Sequence, residues 1–459
     1  MVFSSMTFLC CALPAALAVY YIIPKSLRNI WLLIFSLLFY AWGEPVYVVI
    51  MLFSISVNWL AGIALGSVSQ AGGRRAVLIA ALFVNLGLLM FFKYAGFFIT
   101  TVNTIAGSNI RFIRPVLPIG ISFYTFQALS YVIDVYRGDT PHQRSWPKLA
   151  LYVSLFPQLI AGPILRYRDV ERQIDERREN ISGVFSGLSR FTVGLAKKVL
   201  IANAVAPLAD EAFSVVAPSM PGAWLGVIAY SLQIYFDFSG YSDMAIGLGA
   251  MFGFSYPENF RYPYIARSIR EFWNRWHISL SSWFRDYLYF PLGGNRKGKA
   301  RQALNLLCVF LATGLWHGAG WTFIAWGLYY AVARAIEALF TGGSATDCML
   351  KKAFNWMYTA AVVLVGWVLF RADSLPHAAS FLMAMASGNP GMLTRATPLA
   401  LTAVATGLIA ATPLPLCMFE RLSHSAKTVC KALLTPAVLI LCMLYLASGA
   451  YNPFIYFRF

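Results

Sequence analysis

Residues 303–333 run for 31 positions without one Asp, Glu, Lys or Arg. A helix crosses a bilayer with about 20 apolar residues at 1.5 Å each, so a run of this kind is built for lipid. It is not alone. Residues 6–23, 45–65, 76–100, 117–135, 149–165, 222–236, 356–370, 399–419 and 433–447 are similar, while 30–42 is short and 239–254 glycine-rich. The expectation is an all-α polytopic membrane protein with about eleven transmembrane helices, forming one membrane domain over residues 1–459. Only 12% of the residues are charged, against roughly a quarter in a soluble domain. That excludes a water-soluble globule, a disordered chain and a coiled coil.

Lys and Arg outnumber Asp and Glu by 36 to 19, a net charge of +17. In a soluble chain this would suggest nucleic acid, but no basic domain stands clear of the membrane segments. The positive-inside rule accounts for it, placing Lys25, Arg28, Arg74, Arg75, Arg137, Arg144 and Lys148 in the cytoplasm. The same asymmetry makes 6–23 a retained span with an external N-terminus, since its basic residues follow the apolar run. The cluster 166–178 is too basic for the outside. Segment 149–165, carrying Pro157 and Pro163, is therefore expected to enter and leave by one face, buried in protein or lining a cavity. The seven cysteines show no zinc spacing, and those in apolar stretches read as inert packing. An internal repeat, common in transporters, is not evident.

His317 is the one residue of the 303–333 run that titrates near neutral pH. Counted from Ala303 it lies about 21 Å along a helix, inside a ~30 Å hydrocarbon core. Gly314, Gly318 and Gly320 surround it, and Trp316 and Trp321 flank it. Such a histidine either has both nitrogens tied up by neighbouring helices or exchanges protons, and an intramembrane ionisable group is a functional candidate by default.

From Arg261 to Arg301 nine basic and two acidic residues are interleaved with ten aromatic ones. At 100° per residue Ile269, Trp273, Trp276, Leu280, Trp283 and Tyr287 share one side of a helix, beside a polar stripe of Arg270, Asn274, His277, Ser281 and Arg285. An interfacial helix is expected, and lipid anchoring explains most of its charge but not the alignment of His277. Asp237 and Asp243 sit in an apolar neighbourhood and need partners. They either orient His317 or an arginine, or cap a broken span together with Ser239 and Ser242. The G-x-x-x-x-G-K spacing from Gly293 to Lys299 lacks the magnesium-holding hydroxyl, because Ala300 follows, and no apolar strand precedes it. Motifs of zinc hydrolases, esterases and nicotinamide enzymes are missing, and no metal site is expected.

Across nearly its whole length the chain resembles the membrane-bound O-acyltransferase family, most closely its alginate O-acetylation branch. The resemblance rests on M-V-F-S-S, L-P-I-G-I-S-F-Y, Y-V-I-D-V-Y-R-G-D, L-I-A-G-P-I-L-R-Y, Y-F-D-F-S-G-Y-S-D-M-A-I-G-L-G, E-F-W-N-R-W-H-I-S-L-S-S-W-F-R-D-Y-L-Y and G-L-W-H-G-A. It implies helices enclosing a central tunnel, the family's catalytic histidine at His317, and its second polar position at His277. It further implies acetyl-coenzyme A as donor substrate, no bound cofactor, and phosphate contacts from Arg270, Arg285, Arg296 and Lys297, with Asn274 and Trp316 lining the substrate path. The acceptor would be an exported polysaccharide, or a periplasmic SGNH-type acetyltransferase with a serine nucleophile, served from the bacterial inner membrane. The tail N-P-F-I-Y-F-R-F resembles tails of the branch, with Arg458 where glutamine is commoner. Competing expectations are peptidoglycan O-acetylation, teichoic-acid D-alanylation and a proton-coupled transporter.

Overall fold

Lipid offers no partner to a backbone N–H or C=O, so apolar segments must bond internally, and here they do so as helices. The computed structural model describes residues 2–112, 115–215, 218–340, 349–388, 396–449, 452 and 455, which contain no strand. Among them six helices are long and apolar enough to span a membrane, or seven if the bent pair Pro398–Ala410 and Leu414–Glu420 counts as one. The expected eleven came from counting apolar runs, several of which break into shorter pieces. Segment 149–165 becomes Trp146–Ser154 and Phe156–Leu159 followed by irregular backbone, and every residue of it is buried in protein. Run 303–333 becomes a helical hairpin, Lys299–His317 and Trp321–Phe340. Conversely 222–236 and 239–254 fuse into one helix, Met220–Met251.

The chain forms two compact units, one of residues 1–191 and 244–257, the other of 192–243 and 258–459. In the first, Val48–Ser67, Ala71–Leu89 and Ile121–Arg137 pack closely. Asn58 and Asn85 exchange side-chain amide bonds of 2.9 and 3.0 Å, satisfying two buried polar groups at once. Arg74, expected to mark the cytoplasmic face, also donates to Leu65 O at 2.5 Å and Tyr136 O at 3.0 Å, so it satisfies carbonyls at the ends of two neighbouring helices.

In the second unit the hairpin is drawn together by glycine. A methyl group at Gly327 would lie 2.5 Å from Phe310 O, and one at Gly314 would strike Phe323 O. Without side chains there, the two backbones meet directly. The hairpin packs against Met349–Arg371 and Ile269–Arg275, with Trp276, Trp326, Tyr330, Trp367 and Phe370 in the core. In the tail, Ile455 is buried in this core, whereas Pro453, Phe454 and residues 456–459, Arg458 included, lie outside the described residues.

Candidate active site

His317 is the last residue of the Lys299–His317 helix, about 27 Å from its first residue at 1.5 Å per residue. The helix ends because Gly318 turns to extended backbone (φ −166°, ψ 157°), which opens the hairpin loop. The imidazole is 6% exposed and meets aromatic rings edge-on. Trp316, Trp326 and Phe370 have centroids 5.0, 5.2 and 5.1 Å from its own. The expectation of a histidine midway along a continuous helix is thus corrected to one at a helix terminus.

His277 departs further from expectation. The interfacial helix is two short helices, Ile269–Arg275 and Ile278–Phe284, broken at Trp276 and His277. His277 occupies the left-handed region (φ 43°, ψ 56°), uncommon for a residue with a side chain and held only where surroundings enforce it. The break removes His277 from the polar stripe and buries it, while Arg270, Asn274 and Arg285 stay exposed. Ring centroids of Phe238 and Trp316 lie 4.6 and 6.0 Å from the imidazole. Trp316 therefore touches both histidines. His277 lies outside the membrane-spanning helices, and burial pulls its pKa from 6.5 down to about 3, so the ring is neutral.

The first of the two short helices is fixed at its N-terminus. Ser268 Oγ accepts from the Glu271 N–H at 3.0 Å, and the Glu337 carboxylate accepts from the N–H groups of Ile269 and Arg270 at 3.0 and 3.1 Å. Three otherwise orphaned donors are satisfied, one carboxylate serving two of them from across the hairpin. Arg296 and Lys297 are exposed in the turn before Lys299. Asn305 in the hairpin anchors that turn by donating to Gly294 O at 2.8 Å. Arg285 is exposed and bonds Asp286 at 2.8 Å.

Asp237 and Asp243 do not cap a broken span. The Met220–Met251 helix passes through both without interruption, and each binds a lysine of the π-helical turn Lys197–Ala202. Lys198 Nζ to Asp237 Oδ1 and Lys197 Nζ to Asp243 Oδ2 are both 2.6 Å. Asp237 Oδ2 also accepts from the Ile455 N–H at 2.7 Å, so this acid holds the tail as well. Sequence reading missed both lysines, although a charge pair inside apolar sequence is the signal that could have found them. It also missed Asn259, Trp326, Glu337 and Phe370, which carry no local pattern that sets them apart. Among the described residues no group of three or more His, Cys, Asp or Glu could hold a metal ion.

The model of the membrane-bound O-acyltransferase family matches residues 140–374, just over half the chain, and contains both histidines with all their named neighbours. The chain belongs to this family. This acyltransferase is similar to a probable alginate O-acetylase AlgI of Pseudomonas putida, 41% identical over the full length of both chains. A protein of the same description from Pseudomonas aeruginosa is 43% identical over 91% of this chain and 81% of its own. A peptidoglycan O-acetyltransferase of Helicobacter pylori is 36% identical over 85% and 80%.

Proposed function

We propose that this O-acyltransferase passes acetyl groups from cytosolic acetyl-coenzyme A across the bacterial inner membrane for O-acetylation of an exported polysaccharide of alginate type. The observation that carries the reading is the pair of buried imidazoles, His277 and His317, both against the ring of Trp316. The whole-length likeness to proteins described as alginate O-acetylases supports the acetyl group and the polysaccharide. Residues 1–459 act as one acyltransferase domain, and only the acetyl group crosses the membrane.

In this reading His317 is the general base. It takes the acceptor hydroxyl proton as that oxygen bonds to the thioester carbonyl carbon, a role worth about 10²–10⁴ in rate. The tetrahedral intermediate collapses with loss of the carbon–sulfur bond, and the imidazolium returns its proton to the coenzyme thiolate. Arg270, Arg285, Arg296 and Lys297, on exposed positions, meet the coenzyme phosphates by charge-assisted bonds, with Asn274 beside them. The acceptor is the polysaccharide or a periplasmic serine-nucleophile acetyltransferase of SGNH type, which then acylates the polymer.

The test is transfer from radiolabelled acetyl-coenzyme A by the purified protein in lipid nanodiscs, with a periplasmic extract as acceptor source. Labelled polysaccharide made by wild type and not by His317→Ala is the expected result. Label on peptidoglycan would instead favour the second reading, to which the likeness to the peptidoglycan O-acetyltransferase points. Undiminished transfer by His317→Ala would remove the assignment of the base.

A further inference from the structure

Asn259 bonds each of the three residues of the segment 277–279. Asn259 is fully buried, and its backbone carbonyl accepts from the Ile278 N–H at 2.9 Å. Its side-chain oxygen accepts from the Ser279 N–H at 3.1 Å and from the Ser279 hydroxyl at 2.9 Å. A backbone N–H can only donate, so the Asn259 atom facing it must be the oxygen and not the amide nitrogen. That oxygen lies 3.3 Å from His277 Nδ1. Ser279 Oγ also lies near Nδ1, at 3.5 Å, and its proton is already given to Asn259. These two atoms face Nδ1 as acceptors, and an imidazole answers two acceptors only by carrying its proton there.

We infer that Asn259 is a positioning residue that locks His277 as the Nδ1–H tautomer, leaving Nε2 as a lone pair that accepts a proton or hydrogen bond and cannot donate one. The inference rests on the reading that His277 belongs to the acyl-transfer site, and it sharpens the role open to that residue. A neutral Nε2 acceptor can hold the thiol, an amide of the coenzyme, or a hydroxyl. It cannot stabilise an oxyanion, which needs a donor. The left-handed backbone at His277 has its reason here too, since the break in the helix is what brings Nδ1 back toward Asn259. The ring contacts with Phe238, Phe260 and Trp316 carry no charge, so nothing among these neighbours competes with Asn259 to set the tautomer.

Solid-state ¹⁵N spectra of ring-labelled histidine in bilayers test this without any acyl transfer. The chain has five histidines, and His277→Gln identifies the signal by subtraction. At neutral pH wild type is expected to show a protonated Nδ1 and a bare Nε2. Ser279→Ala retains that pattern because the Asn259 oxygen remains, whereas Asn259→Ala yields the Nε2–H form in part or whole. A wild-type Nε2–H tautomer, or a pattern indifferent to Asn259→Ala, would overturn the inference. Asn259→Asp, which has the same size, guards against misfolding: its carboxylate should stabilise the imidazolium and move the acid limb of the His277 titration at least one unit to higher pH. An unmoved limb in a folded Asn259→Asp protein would also count against the lock. In labelled acetyl transfer, Asn259→Ala should lower kcat at least tenfold with KM for acetyl-coenzyme A within about twofold. A wild type inert in that assay, with the tautomer as stated, would instead fault the proposed function.

Discussion

The Lys198–Asp237 pair offers a quantitative test of how this membrane protein tolerates charge. Both residues are 2% exposed, and their charged atoms are 2.6 Å apart. Lys198→Met leaves the carboxylate without its ammonium, and Asp237→Asn leaves the ammonium without its carboxylate. Breaking a buried pair from one side costs about 3–5 kcal/mol. The double variant Lys198→Met with Asp237→Asn removes both charges, and an asparagine oxygen can still accept the Ile455 N–H. It should therefore lie within about 1–2 kcal/mol of wild type, because replacing a buried pair with neutral groups of similar size is often close to neutral. The coupling energy in the cycle is expected to be at least 3 kcal/mol, well outside the ~0.5 kcal/mol seen for independent sites. Reversible unfolding in mixed micelles, followed by tryptophan fluorescence, supplies the four free energies. Additive losses, with the double variant as unstable as the singles combined, would refute the claim that the two charges stabilise each other.

The remaining tests concern the site. Because burial lowers the His277 pKa below its unfolded value, the unfolded chain binds more protons between pH 6.5 and about 3, and stability falls as pH drops through that window. The slope due to this group is about 1.4 kcal/mol per unit, and His277→Gln should flatten the stability profile by that amount. Gly327→Ala forces a methyl group against Phe310 O, so the hairpin must part. Transfer should fall at least tenfold, read as the initial rate at saturating acetyl-coenzyme A, and an unaltered rate would show that the hairpin spacing does not hold His317 in place. Reversing Arg296 and Lys297 to Glu should raise the KM for acetyl-coenzyme A by about three- to thirtyfold, since exposed charge contacts are worth up to about 1 kcal/mol each. An unchanged KM would leave those residues a topological role alone.

Runs of apolar residues are visible in the sequence because hydrophobicity is a local property, and they led directly to an all-helical membrane protein. Where helices break is less legible. Residues 303–333 have no charge to mark an end, yet Gly318 to Gly320 turn the chain, and the close approach at Gly314 and Gly327 pays for that turn with backbone contact. At 100° per residue the segment around His277 reads as one amphipathic helix, and only a tertiary anchor explains the left-handed residue that interrupts it. The histidines themselves stood out through an unusual residue in an apolar context. Asn259 did not, since a lone asparagine beside proline and glutamate looks like loop, and its value lies in four hydrogen bonds to residues 18 to 20 positions away. Asp237 and Asp243 announced themselves as buried charges but not their partners, because the lysines they meet are 39 and 46 positions distant.

The distribution of charge in the second unit bears on selectivity. An activated acyl group meets two nucleophiles, the acceptor hydroxyl and water, and a base poised near neutrality serves either. Around His317 stand indole and phenyl rings at 5.0 to 5.2 Å, whose carbon surfaces offer water little to bind. Lys198 is tied to Asp237 and Lys197 to Asp243, while Arg285, Arg296 and Lys297 stand exposed. A wall of such rings bears on partitioning, because a dry aromatic surface disfavours hydrolysis of the acyl group more than attack by a bound hydroxyl. Trp316, in contact with both imidazoles, is the ring on which that wall depends most. Trp316→Ala should therefore raise the ratio of acetyl-coenzyme A hydrolysed to acetyl transferred, measured as free thiol released against label in product. A variant that loses both activities in proportion would mean the ring acts in binding and not in the exclusion of water.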